Sequence, residues 1–227
     1  MSLPLTIPYS YGKLIVYFLL SVIMSAGILC PLKANGQTTE TKKHPVVFTE
    51  KDREAGIRLL RETQDEFVAA ISDLTEAQLN YKVSAEKWSI AEVAEHIILA
   101  ENRIFSIITD AVLKAPAPQG AENFRIKDPV ITLALTNRST KFTAPEPLTP
   151  KSRFKNKGEL LSNFTTTRTK TIDYLAATKD DLRNRFGELP VLGTIDGYQW
   201  FVFVNAHGAR HLAQIAEIKA DLNFPKR

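Results

Sequence analysis

The chain has 227 residues, 44% of them hydrophobic, with 29 basic and 25 acidic side chains and a formal net charge of +4. Its one cysteine, Cys30, rules out an internal disulfide framework and any cysteine-rich metal site, so a metal centre has to use His, Asp or Glu. The charge excess is too small to argue for nucleic-acid binding, and we expect no nucleic-acid partner.

Leu14 to Leu29 is a nearly unbroken apolar run preceded by Lys13, and Ala34 and Gly36 stand at the −3 and −1 positions of a cut before Gln37. This is the pattern of a secretory signal peptide over residues 1–36, which predicts an exported, periplasmic or extracellular protein. An uncleaved anchor is the alternative, and only then would the membrane be a partner; the run is short for a span. Leu29, bulky where a small residue is expected, argues against a lipid anchor on Cys30. Cleavage removes Lys13 and Lys33 but no acid, leaving 27 basic and 25 acidic residues and a net charge of 27 − 25 = +2. The mature chain is then free of cysteine.

Residues 37–48 read as a tether and 49–227 as one domain. Thr49 with Asp52 caps a first helix whose apolar positions are Ile57, Leu60, Phe67, Val68 and Ile71. Asp73 to Lys87 reads as a connector. Ser89-Ile-Ala-Glu92 is a capping box and opens a second helix to about Lys114, along a stripe from Ile90 to Val112. Trp88, just before the cap, is placed to staple against Val93 or a neighbour.

Ala115 to Lys155 holds six of the twelve prolines. Asp128-Pro129 starts a short helix there. A connection of this length is either functional or a surface excursion. Asn156-Lys-Gly-Glu159 caps a third helix through Leu160, Phe164, Ile172 and Leu175. Asp180 to Thr194 reads as a loop, and a fourth helix runs from near Thr194 or Asp196 to about Leu222. No series of strands competes. The fold class expected is all-α: a four-helix bundle with a long crossover connection between helices 2 and 3.

The fourth helix carries two of the chain's four histidines. With about 100° per residue and Trp200 as zero, His207 projects near −20° and His211 near +20°, inside a stripe defined by Phe203, Val204, Ile215 and Ile218. A core histidine satisfied by hydrogen bonds is the ordinary reading of one such residue. Two of them one turn apart on a buried face both need partners, and a metal ion would serve both. His96 projects to about −120° on the second helix, at the edge of its stripe. His44 lies in the tether. His96, His207 and His211 are therefore the candidate ligands of a divalent transition metal, with zinc, nickel and iron(II) all chemically suitable. The zinc-protease motif is excluded, because Gly208 stands where its glutamate base would be.

Trp88-Ser-Ile-Ala-Glu-Val-Ala-Glu-His96 followed by Glu101, with His207-x-x-x-His211-Leu-Ala-Gln214, resembles the DinB-like superfamily. Arg138-x-x-Lys141-x-x-Ala-Pro-Glu-x-Leu-x-Pro150 and Glu159-Leu-Leu with Arg168 add to the likeness, which spans Glu50 to Leu222. The resemblance implies an up-down-down-up bundle and a metal held by one histidine of the second helix and two of the last, the places of His96, His207 and His211. Some members of that family are thiol-dependent S-transferases or isomerases, and many have no known reaction. An export signal separates this chain from cytosolic thiols and argues against thiol transfer.

Among other polar residues, Glu101 projects into the stripe of the second helix and is expected to pair with Arg168 or to orient a histidine. Glu92 is read as a cap, Glu95 as solvated, Arg210 as outward-facing, and Gln214 as a partner for a ligand or for backbone. Trp200-Phe-Val-Phe-Val204 is apolar all round and reads as core, with a homodimer face as the alternative. The leading expectation is an exported metal-dependent hydrolase or transferase acting on an unidentified small molecule. The alternatives are a non-catalytic metal- or ligand-binding bundle and a structural bundle whose histidines only bond one another.

Overall fold

A computed structural model describes residues 46–116, 126–190 and 192–226. The expected signal segment, most of the tether and His44 lie outside the described residues. No helix among the described residues is long and apolar enough to cross a membrane.

Among the described residues six α-helices follow in order: α1 (Glu50–Ile71), α2 (Glu76–Leu79), α3 (Ile90–Ile107), α4 (Asp128–Thr136), α5 (Lys157–Ala177) and α6 (Gly197–Lys219). The four long ones, α1, α3, α5 and α6, form the bundle, and the crossover joins α3 to α5 as expected. α1 packs on α5 and α6, and α3 packs on the same two helices.

The start signals act through backbone chemistry. Thr49 with Asp52, Ser89 with Glu92, and Asp196 with Gln199 each close a full capping box, satisfying N–H groups that the first helical turn leaves unpaired. Asn156 accepts from the Glu159 amide at 2.9 Å, but the Glu159 carboxylate takes the amide of Lys155 instead, so this box is offset by one residue.

Three boundaries differ from expectation. The second helix turns into a wider π-helical stretch at Ile108–Val112 rather than staying α-helical. The connector after α1 contains the single-turn α2, capped by Thr75 and Gln78. The stretch read as a loop holds an antiparallel hairpin of β1 (Phe186–Leu189) and β2 (Gly193–Asp196), with Phe186 opposite Asp196. Gly193 sits at φ 77°, the left-handed region that glycine alone enters without strain. The strands are too short to give a period-2 signal.

The apolar core falls into two clusters. One gathers Leu60, Ile104, Ile172 and Phe201, and the other gathers Phe67, Ile97, Phe164 and Ile215. Trp200 to Val204, the run that is apolar all round, is buried inside its own chain. Between the clusters each long helix contributes polar side chains: Thr63 from α1, Glu101 from α3, Arg168 from α5, and Asn205 with His211 from α6. Arg168 donates to Glu101 Oε1 and Oε2, to the Leu60 carbonyl and to Thr63, and Thr63 donates to Asn205. A polar layer thus divides the hydrophobic interior.

Candidate metal centre

α6 carries His207 and His211 one turn apart, and α3 presents His96 to them across the seam between the two helices. The ring centroids of His96 lie 5.2 Å from those of His207 and 4.6 Å from those of His211. The two α6 rings are 4.5 Å apart. One ligand nitrogen from each histidine lies within 4.8 Å of the other two. Three points so spaced share a centre no farther than 4.8/√3, about 2.8 Å, from each. Zinc–nitrogen bonds are about 2.0–2.1 Å, so side-chain shifts below an ångström would close the site.

The second nitrogen of two of these rings is already committed. His96 Nδ1 is 2.9 Å from the carbonyl of Leu148. A carbonyl can only accept, so Nδ1 carries the proton and Nε2 keeps the lone pair. His211 Nδ1 is 2.9 Å from Gln214 Oε1, which fixes its tautomer in the same way. Partners of this kind orient metal-binding imidazoles and raise their basicity. The donor set, three neutral imidazoles with two held by outer hydrogen bonds, fits a divalent transition ion.

Electrostatics keep the rings neutral. Burial pushes the pKa of His96 below its ordinary value, opposed by the Leu148 contact. Burial, then the neighbouring His96, lowers His211 to about 3. His207 lies well below its ordinary value through burial, His211, His96 and Arg210 in that order. Neutral imidazole is the form that ligates a metal.

Trp88 and Phe203 flank the triad, with ring centroids 5.0 Å from His96 and 5.9 Å from His207. Trp88 therefore staples against the candidate ligand itself. The crossover roofs the same seam: α4 packs on α6, and the 3₁₀ turn Glu146–Leu148 packs on α3. The long connection is thus part of the site's surroundings and not only a surface excursion.

A family profile described as the DinB superfamily matches residues 59–215, more than half of the chain. The chain belongs to the DinB superfamily. Among its relatives is the uncharacterized protein YuaE of Bacillus subtilis (strain 168), 28% identical over 149 residues, which are 66% of this chain and 88% of that one. Among solved structures, YfiT from Bacillus subtilis superposes with a TM-score of 0.50 at 15% identity, over 78% of this chain and 91% of its own. YfiT is described as a probable metal-dependent hydrolase with an unusual four-helix bundle topology. At this identity the likeness speaks for the fold alone.

In this DinB-superfamily protein the histidines converge as the helical wheel predicts, although His96 is more buried than its edge position implies, at 4% exposure. Glu101 pairs with Arg168, one of its two expected roles, and both are almost fully buried. Gln214 serves His211 rather than backbone. Two expectations need correction. Glu95 is buried, not solvated, and accepts from the amides of Lys151 and Arg153. Arg210 is buried, not outward-facing, and donates to the carbonyls of Leu135, Asn137 and Thr140. Both residues are covered by the crossover, whose path leaves no trace in helical periodicity. The Leu148 carbonyl carries no side-chain signal at all.

Proposed function

We propose that the protein holds a divalent transition metal through His96, His207 and His211 and is an exported metal-dependent hydrolase or transferase. The observation that carries this reading is the convergence of three imidazole nitrogens within 4.8 Å, on a family fold shared with a protein described as a probable metal-dependent hydrolase. When bound, such an ion supplies Lewis acidity, lowering the pKa of a water or thiol or polarising a carbonyl. The chain's own residues hold the imidazoles neutral and oriented, while Trp88, Phe203 and the crossover bound the space beside them. Export rests on the apolar segment Leu14 to Leu29 and the small residues before Gln37.

A specific observation favours a second reading, a non-catalytic metal- or ligand-binding bundle. The acids nearest the triad in sequence are engaged elsewhere: Glu92 caps α3, Glu95 holds the crossover and Glu101 holds Arg168. None is free to serve as a general base.

Metal analysis of untagged protein tests the centre. We expect about one equivalent of transition metal, lost in His207→Ala. Only traces of metal in wild type, with unchanged stability in the variant, would leave the structural reading standing. A substrate screen on metal-loaded protein then separates enzyme from binder, since turnover should require metal and vanish in His211→Ala. Sequencing the N-terminus of exported protein tests cleavage before Gln37.

A further inference from the structure

Glu95 and His96 are consecutive residues of α3, and both are tied to one short stretch of the crossover. His96 Nδ1–H donates to the Leu148 carbonyl. Glu95, 2% exposed, accepts the Lys151 amide at 2.9 Å, the Arg153 amide at 3.1 Å and the Arg153 guanidinium. Between those two amides sits Ser152 at φ 54°, the one non-glycine residue in the left-handed region among the described residues. That conformation is strained for serine and persists only where its surroundings impose it. Here both flanking N–H groups are turned to a single carboxylate, an anion nest whose guest comes from the same chain.

The stretch is also braced internally. The Leu148 and Thr149 amides close a 3₁₀ turn on Pro145 and Glu146, and the Arg153 guanidinium donates to the Thr149 carbonyl at 3.1 Å. The Leu148 carbonyl and the Glu95 nest are therefore parts of one unit seated on α3.

We infer that Glu95 is a positioning residue for the three-histidine centre: by seating residues 148–153 on α3, it keeps the Leu148 carbonyl on His96 Nδ1–H and leaves His96 Nε2 for the metal. The inference rests on the reading of the triad as a metal centre. A carboxylate that merely anchored a loop would affect stability and leave the His96 tautomer and metal affinity unmoved.

Glu95→Gln preserves size while removing the charge and one acceptor oxygen. Two measurements test it: the His96 tautomer by nitrogen NMR on metal-free protein, and zinc affinity by chelator competition. Wild type should show His96 as the Nδ1–H tautomer. The variant should show a mixture of tautomers, and its zinc affinity should fall about 10- to 100-fold, as for other outer partners of ligating histidines. A folded variant with an unchanged tautomer and unchanged affinity overturns the inference. Should Glu95→Gln fail to fold, Glu95→Asp replaces it: the shorter side chain draws the carboxylate back from both amides and should move the same readouts in the same direction, and unmoved readouts again overturn the inference. If wild-type protein takes up no zinc, the metal reading fails separately. The tautomer then decides alone: a shift supports positioning of His96 by Glu95, and no shift overturns it.

Discussion

His211 Nδ1–H points at Gln214 Oε1, 2.9 Å away and three residues along the same helix. The contact spans less than one turn of α6, so helix geometry alone brings the two side chains together. It commits Nδ1 and leaves Nε2 with its lone pair. Replacing Gln214 with leucine removes the acceptor at similar size. We predict a loss of about 10- to 100-fold in zinc affinity, measured by chelator competition, with little change in helical content. Unchanged affinity would show that Gln214 does not orient His211.

The pairing of Arg168 with Glu101 is the most buried ion pair among the described residues, with side chains 1% and 3% exposed. Arg168 also donates to Leu60 and Thr63, so its charge is compensated from α1 as well as α3. Glu101→Leu leaves a guanidinium without its counter-charge in the interior. Removing one partner of a buried pair costs about 3–5 kcal/mol. Denaturant unfolding should show a loss of that order. The double variant Glu101→Leu with Arg168→Met should recover much of it, because no lone charge is then left inside.

The triad makes stability of the metal-free protein depend on pH. His211 has a folded pKa of about 3 against an ordinary 6.5, and His96 and His207 are displaced in the same direction. As pH falls below 6.5 the unfolded chain binds protons that the folded chain refuses, so folding weakens, and the effect is complete only below the folded pKa. His211 alone changes stability by about 1.4 kcal/mol per pH unit across that window, and His96 and His207 act in the same direction. The melting temperature of metal-free protein should therefore fall between pH 6.5 and 4. His211→Leu should flatten that dependence, and an equally steep profile in the variant would assign the acid sensitivity to other groups.

Arg210 ties α6 to the crossover through three carbonyl oxygens, those of Leu135, Asn137 and Thr140. Arg210→Ala leaves these without their donor and loosens the roof over the seam. Hydrogen bonds to a charged group contribute about 1.5–3 kcal/mol each, less whatever water restores at the partly exposed ones. We expect faster hydrogen exchange in residues 135–142 and a lower melting temperature. Arg210→Lys should rescue little, because a single ammonium does not reproduce the planar fork. Exchange rates equal to wild type would show that α4 packing alone holds the segment.

The bundle was legible in the sequence because helices announce themselves locally. Capping boxes at Thr49 and Ser89, the Asn156 cap and apolar residues at helical spacing need only neighbours a few positions away. The same periodicity put His207 and His211 on the buried face, where the structure has them facing His96. The hairpin Phe186–Leu189 with Gly193–Asp196 was not legible, because four-residue strands are too short to display a period.

The surroundings of the histidines were decided by tertiary structure. Glu95 projects to about +140° from Ile90, off the apolar stripe of its helix, and Arg210 to about −80° from Trp200, about 20° beyond Phe203 at the edge of its stripe, where a charged side chain reads as solvent-facing. They are buried because the crossover lies over them, and its course is set by carbonyls, amides and ion pairs between residues distant in sequence. The sequence by itself determined the helices, their buried faces and the three imidazoles those faces carry. Only the tertiary structure decided which nitrogen of His96 is held, by the Leu148 carbonyl, and which charges are covered, because contacts made by backbone groups of an irregular segment leave no periodic signal for a sequence to show.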